Sequence, residues 1–121
     1  MSTIINWFEI PVSDMERAIA FYQRVLNAEF RRETMAGVDN AVFSYDQPAT
    51  GGALVKGDRF IPSDKGAVIY LYTPDIAQAL QQVEAAGGSL DFGPQVLPHD
   101  IGTIALMIDS EGNRVGLHQP V

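Results

Sequence analysis

The stretch VIYLYTPDIAQALQQVEAAGG, residues 68–88, decides the fold, because residues 7–27 show the same order of features sixty-one positions earlier. Each stretch reads as a strand, a helix start, an amphipathic helix and a helix stop. Amphipathic helices resemble one another in general, but four features in a shared order predict two copies of one folding unit. The apolar helix positions that match at this spacing are Met15 with Ile76, Ala18 with Ala79, Ile19 with Leu80, Tyr22 with Val83, and Val25 with Ala86.

Short-range signals predict where the two helices begin and end. Ser13, with Glu16 three residues later, fits a capping box, in which each side chain accepts a hydrogen bond from the other residue's backbone N–H. Thr73, followed by a proline, is the candidate N-cap of the second helix. Asn27 and the two glycines at 87–88 are expected to end the helices, because these residue types readily adopt the left-handed conformation.

Three strand candidates follow each helix, and turn residues separate them. We therefore predict an α+β fold of two tandem βαβββ units, about residues 1–60 and 66–121, within one domain covering residues 1–121. A single unit cannot bury both faces of its sheet, so pairing the units would form a half-open, barrel-like sheet around a central cleft. The expected strands are 29–35, 40–46 and 51–57 in the first unit, and 89–97, 102–109 and 113–119 in the second.

The composition excludes several classes of protein. The chain has 121 residues, no cysteine and a formal net charge of −7. The lack of cysteine excludes disulfides and zinc-thiolate sites, and an acidic chain without a cluster of Lys and Arg disfavours nucleic-acid binding. No apolar run is long enough to span a bilayer, and the first residues lack the pattern of a signal peptide. We expect a cytoplasmic protein that binds neither nucleic acid nor a membrane.

Two further patterns are interpreted as structural. The glycine pair at 51–52 precedes a strand and is too short for a phosphate-binding loop, so it indicates a close approach of the backbone or a bulge. The segment DSEGN, residues 109–113, has the composition of a hairpin turn and lacks the longer series of ligands that a calcium loop requires.

Four segments carry a resemblance to a known family. Together they resemble the vicinal oxygen chelate superfamily, also called the glyoxalase/bleomycin resistance/dioxygenase superfamily, and in particular its small bacterial proteins related to lactoylglutathione lyase. The resemblance covers the whole chain and implies the paired-unit fold, but the superfamily includes lyases, isomerases, dioxygenases, thiol transferases and drug-sequestering proteins. The segments are FEIPVSDMERAIAFYQRVL (8–26), GGALVKG (51–57), YTPDIAQALQQVEAAGG (72–88) and DSEGNRVGLHQ (109–119).

The resemblance also implies where a divalent metal would be held. In the superfamily, His, Gln or Glu side chains on the first and last strands of each unit hold the metal, which polarises neighbouring oxygens of the substrate. In this chain those positions fall on Trp7, Leu54, Val68 and Gly116, none of which can coordinate a metal. We therefore predict no cofactor, and we disfavour a divalent metal.

Two residues further along the same strands, the chain places Glu9, Lys56, Tyr70 and His118. Because side chains alternate along a strand, each should share a face with the empty metal position before it. Glu9 is a candidate general base or ligand acceptor, and His118 a candidate for proton transfer or for metal binding together with Glu9. Lys56, Tyr70 and Trp7 are candidate ligand-binding residues. The structural alternatives are an internally paired Glu9, a hydrogen-bonded His118, and aromatic rings that only fill the core.

Three functions remain open at this point. One is a lyase or isomerase that acts on a small oxygenated metabolite with Glu9 as base, with or without a metal. The second is a protein that sequesters a small molecule such as a drug or toxin, and the third is a degenerate scaffold domain. The resemblance implies a homodimer in each case. The substrate, and whether chain units exchange between subunits, stay undetermined.

Overall fold

The computed structural model describes residues 4–46 and 50–121, and it confirms the predicted order of elements in both halves. Each half contains one strand, one helix and three further strands. The first half consists of β1 (Trp7–Pro11), α1 (Met15–Leu26), β2 (Phe30–Met35), β3 (Val38–Phe43) and β4 (Gly51–Lys56). The second consists of β5 (Tyr70–Tyr72), α2 (Ile76–Val83), β6 (Ser89–Leu97), β7 (Gly102–Ile108) and β8 (Arg114–Gln119).

Each half builds one four-stranded mixed sheet, and the two sheets have the same topology. The strand orders are β1-β4-β3-β2 and β5-β8-β7-β6. The first and last strands of each half are parallel neighbours, whereas the other pairs are antiparallel. The predicted α+β class with two βαβββ units is confirmed, and the sheets are not closed into a barrel.

The two helices pack together on one side of the molecule, over a hydrophobic core that both halves share. In β1, Ile10 belongs to this core and Phe8 packs against it. Because side chains alternate along a strand, Trp7 and Glu9 lie on the opposite face of the sheet. Leu54 of β4 is fully buried in the shared core, so it faces the helices.

The helix starts differ from the prediction, and so does the end of α2, which stops at Val83 with Glu84 as its C-cap, before the two glycines at 87–88. The N-caps are Asp14 and Asp75, whose side chains accept hydrogen bonds from the N–H groups three residues later, and not Ser13 and Thr73. The capping box with Ser13 does not form, because the Ser13 N–H donates to a distant carboxylate, that of Glu111. Asn27 ends α1 with φ of 56°.

The turn between β7 and β8 connects the second half to the first. The Glu111 carboxylate accepts hydrogen bonds from the backbone N–H groups of Ser13 and Asp14, each at 2.9 Å, and from Arg17. Beside it, Asp109 accepts a hydrogen bond from the Tyr22 hydroxyl at 2.6 Å. We call Asp109, Glu111 and Asn113 the inter-unit turn, because their side chains hold the two units together.

Neither helix in the two described ranges is both long and apolar enough to cross a membrane.

Candidate functional site

A groove of about 680 Å³ is lined by the first strands of the two units and the residues next to them. Trp7 and Glu9 line it from the sheet face opposite to the shared core, and Phe8 and Leu71, which pack against that core, border it as well. Its walls come almost equally from both halves of the chain. The lining residues are Ile5, Trp7, Phe8, Glu9 and Thr50 from the first half, and Val68, Ile69, Tyr70 and Leu71 from the second.

Trp7 forms one wall of the groove and keeps an exposed ring face. Its side chain is 39% exposed and meets Tyr45 edge-on, with 6.5 Å between the ring centroids. The Tyr45 ring in turn lies directly over Gly51, where an added Cβ would come within 2.4 Å of it. The glycine therefore lets Tyr45 support Trp7 from the side, and the indole does not plug the groove.

Tyr70 forms another wall of the groove, and this wall also involves an aromatic ring packed over a glycine. It is 47% exposed and lies over Gly116, its register partner on β8. A Cβ at Gly116 would be 2.4 Å from the Tyr70 ring. Gly116 occupies a position where the superfamily places a metal ligand. Because it has no side chain, the Tyr70 ring can pack directly against its backbone.

We expect Gly116→Ala to displace the Tyr70 ring into the groove and to cost about 1 kcal/mol of unfolding free energy, because the half-exposed ring can rotate to relieve the clash. Urea unfolding of the single variant and of Gly116→Ala combined with Tyr70→Ala measures this. The added cost of the Gly116 substitution should vanish when Tyr70 is already truncated. Gly57→Ala is the matched control, since a Cβ there meets its neighbours at ordinary distances of 3.4 Å or more. If Gly116→Ala lowered the free energy of unfolding equally with and without the Tyr70 side chain, the proposed packing of Tyr70 over Gly116 would be wrong.

Glu9 lines the same groove as these two aromatic rings, and it is exposed. Within residues 4–46 and 50–121, no hydrogen-bond donor or cation pairs with its carboxylate. Glu9 also borders a second cavity of about 280 Å³, which contains Lys65 and Arg114. A carboxylate without an internal partner at the junction of two cavities is available to a ligand, so the alternative of an internally paired Glu9 does not describe this structure.

His118 lies apart from the groove. It shares the sheet face of Tyr70, since it pairs in register with Tyr72, two residues further along β5. Its ring Nε2 donates a hydrogen bond to the Ile101 carbonyl oxygen at 2.7 Å, and His118 is not among the residues that line the groove. The structure therefore does not bring His118 and Glu9 together, and the structural alternative describes His118 better.

Lys56, a candidate ligand-binding residue, shares the face of Leu54 as expected, but that face is not the one that carries Glu9. Glu9 pairs in register with Ala53, and register partners point to the same face of a sheet. Alternation along β4 then places Lys56 on the face of Leu54, away from the groove. The predicted placement of Leu54 at the cleft is wrong for the same reason.

The four positions that the resemblance assigns to a metal do not fit a divalent cation. Trp7 and Val68 line the groove, Gly116 lies under Tyr70, and Leu54 is in the core. None of their side chains carries a nitrogen, oxygen or sulfur atom that coordinates metals in proteins. Within the described ranges, no three His, Asp or Glu side chains gather in a group that could hold an ion.

Sequence reasoning missed Tyr45 and Thr50. Thr50 lines the groove and donates its hydroxyl to the Ile5 carbonyl at 3.3 Å, and Tyr45 supports Trp7. The one signal for them was the glycine pair at 51–52, for which a close backbone approach was predicted. That prediction holds, because Gly51 seats Tyr45 and an added Cβ at Gly52 would be 2.3 Å from the Phe8 ring.

A family comparison gives the same assignment as the topology. Residues 4–117 match the family model of the Glyoxalase/Bleomycin resistance protein/Dioxygenase superfamily. The chain belongs to this superfamily. A search among curated proteins found no match.

Several solved structures share the fold of this chain. TnmS3, an antibiotic binding protein from Streptomyces sp. CB03234, is 26% identical with a TM-score of 0.68, and the match covers 100% of this chain and 99% of that protein. A V278E mutant of glyoxalase I from Zea mays is 21% identical with a TM-score of 0.69, and the match covers 93% of this chain but 44% of the maize protein. FosX, a fosfomycin resistance protein from Listeria monocytogenes, is 16% identical with a TM-score of 0.68, covering 100% and 93% of the two chains. This superfamily member therefore spans less than half the length of the maize enzyme.

Proposed function

We propose that this superfamily member binds a flat, partly apolar organic molecule in the groove and sequesters it. The observation that carries the proposal is a groove lined by two half-exposed rings, Trp7 from one unit and Tyr70 from the other, and by the Glu9 carboxylate, which pairs with no residue in 4–46 or 50–121. Aromatic walls with a few placed polar groups are typical of small-molecule sites. The full-length likeness to an antibiotic binding protein supports binding without chemistry.

The two other functions fit the structure less well. A scaffold domain has no need of an open groove of about 680 Å³ lined by a carboxylate that no described residue pairs with. A lyase or isomerase could use Glu9 as its general base, and this is the observation that keeps it as the second candidate. It would do so without His118, which lies outside the groove, and without metal ligands at the superfamily's positions. The homodimer and the cytoplasmic location stay predictions.

Titration with a panel of planar aromatic antibiotics tests the proposal, because Trp7 is the single tryptophan and reports directly on the groove. We expect saturable, one-to-one quenching of its fluorescence by at least one compound. Trp7→Leu should weaken binding of that compound about tenfold, measured by calorimetry, since the stacking surface is lost.

Phe92→Leu is the matched control for that titration, because Phe92 is an exposed ring outside the groove. It should leave affinity unchanged. Equal affinity of the wild-type protein and Trp7→Leu, or no binding across the panel, would refute sequestration in the groove. Turnover of a bound compound that Glu9→Gln abolishes would favour the second candidate.

A further inference from the structure

The second cavity beside the groove differs from it in chemistry. It has a volume of about 280 Å³, and it shares Glu9 and Ile69 with the groove, so the two spaces adjoin. We call it the polar cavity. Its polar lining residues are Glu9 from β1, Ser63 and Lys65 from the connector between the units, Asn113 from the inter-unit turn, and Arg114 from the start of β8.

The uncharged polar residues of this cavity are already engaged. The Asn113 side chain accepts a hydrogen bond from the Ser63 N–H at 3.0 Å and donates to the Pro11 carbonyl at 2.7 Å. The Ser63 hydroxyl is used by Lys65, whose backbone N–H donates to it at 2.9 Å. These groups therefore shape the wall, and recognition of a ligand is left to the charged residues.

Two of the charged groups retain free bonding capacity. The Glu9 carboxylate has no partner within the described ranges. Arg114 donates its Nε–H to Asp91 at 3.0 Å, and none of its other guanidinium N–H groups pairs with a residue of those ranges. Lys65 contributes less, because its amine is mostly exposed and pairs with Asp64.

We propose that the polar cavity binds a zwitterionic, amino-acid-type end group of the molecule whose aromatic body occupies the groove. This inference rests on the proposed function and specifies its ligand. A carboxylate alone would be attracted by Arg114 but repelled by Glu9, and an ammonium alone would meet the opposite pair of forces. A group that carries both charges satisfies both residues, with charge-assisted hydrogen bonds to each.

Four probes with the same naphthalene ring and different end groups test this inference by calorimetry on the full chain. They are ethylnaphthalene, naphthylethylamine, naphthylpropionate and naphthylalanine, which carry no charge, an ammonium, a carboxylate, and both. We expect naphthylalanine to bind about tenfold more tightly than ethylnaphthalene, and the two singly charged probes to gain less. Equal affinity of all four probes would overturn the zwitterion site and leave sequestration in the groove intact. Failure of all four to bind would overturn both.

Variants assign each charge to its residue. Affinity gains are measured against ethylnaphthalene in the same variant. Glu9→Gln should then remove the affinity gained through the ammonium, and Arg114→Gln the affinity gained through the carboxylate. Asp91→Asn leaves the Arg114 guanidinium in place and removes the carboxylate that its Nε–H binds. The affinity gained through the carboxylate of the probe should therefore persist in this variant. Lys56→Gln is the matched control for loss of a cation, because Lys56 lies on the opposite face. If Lys56→Gln reduced the carboxylate gain as much as Arg114→Gln, the effect would be long-range electrostatics and the inference would be wrong.

Discussion

Asp109→Ala is expected to lower the free energy of unfolding by about 3–5 kcal/mol. Asp109 is 2% exposed and accepts hydrogen bonds from the Tyr22 hydroxyl, from the N–H groups of Glu111 and Asn113, and from the Asn113 side chain. Removing the carboxylate leaves several buried donors without an acceptor. Burial, together with the negative charge of Asp109, raises the pKa of Tyr22 well above its usual value, so this hydroxyl is a donor at neutral pH.

Urea unfolding, followed by circular dichroism, measures this effect. Tyr22→Phe removes one donor and keeps the ring, so it should cost about 1–2 kcal/mol and should cost less when Asp109 is already alanine. Asp58→Ala, at an exposed acidic residue, is the control and should stay within about 0.5 kcal/mol of wild type. A loss below about 1 kcal/mol for Asp109→Ala would show that the inter-unit turn does not hold the units together.

The inter-unit turn also shapes the proposed binding site. Asn113, which Asp109 orients, binds the Pro11 carbonyl at the end of β1 and the Ser63 N–H of the connector. These contacts fix the strand that carries Glu9 relative to the wall of the polar cavity. The groove lies between two units that the turn joins, so its width depends on a contact made outside it.

The repeat was enough to predict the fold because its signals are local. The matched stripes follow helical periodicity, and Asn27 ends α1 as its left-handed preference indicates. The helix starts were misjudged because Ser13 and Asp14 are both good N-caps, and a carboxylate almost a hundred residues away engages the N–H of Ser13. The choice between neighbouring caps was therefore made by tertiary structure.

The sequence predicts the placement of those site residues whose position depends only on alternation along their own strand. Trp7, Glu9 and Tyr70 were expected to meet, and alternation along β1 together with the repeat brings them into one groove. Lys56 and Leu54 were misplaced, because their face depends on the register between β1 and β4, which are more than forty residues apart. A register shift of one residue reverses the face of every side chain, and no local pattern in β4 fixes it.

The composition of residues 109–113 correctly indicated a turn, but it could not show what the acidic side chains bind. Glu111 has a fully buried side chain that pairs with Arg17, a helix residue from the other unit. Burial raises the pKa of Glu111, but hydrogen bonds from Arg17, from the N–H groups of Asp14 and Ser13 and from the Ser110 hydroxyl outweigh it and lower the pKa to about 2. The carboxylate therefore stays ionised in the folded protein under all but strongly acidic conditions.

This lowered pKa predicts how stability depends on pH. The pKa of Glu111 is about 2 in the folded protein against an ordinary 4.5, so between these values the unfolded chain binds more protons than the folded one. The stabilisation from Glu111 is thus fully present above about pH 4.5 and is lost as the pH falls towards 2. A difference of this size corresponds to about 3 kcal/mol, which solvent around the 52% exposed Arg17 side chain reduces to about 2 kcal/mol.

Urea unfolding of the wild-type protein and of Glu111→Gln across the acidic range measures that dependence. At neutral pH the variant should be about 2 kcal/mol less stable, since a neutral amide cannot replace the charge that faces Arg17. The gap should narrow steadily below about pH 4.5, because protonation makes the wild-type side chain neutral as well. Glu29→Gln, at an exposed glutamate, should show a small and nearly constant difference over the same range. A gap between wild type and Glu111→Gln that stays the same from pH 7 to pH 3 would mean that the Glu111 charge contributes nothing to joining the two units, and that hydrogen bonding alone anchors the turn to the start of α1.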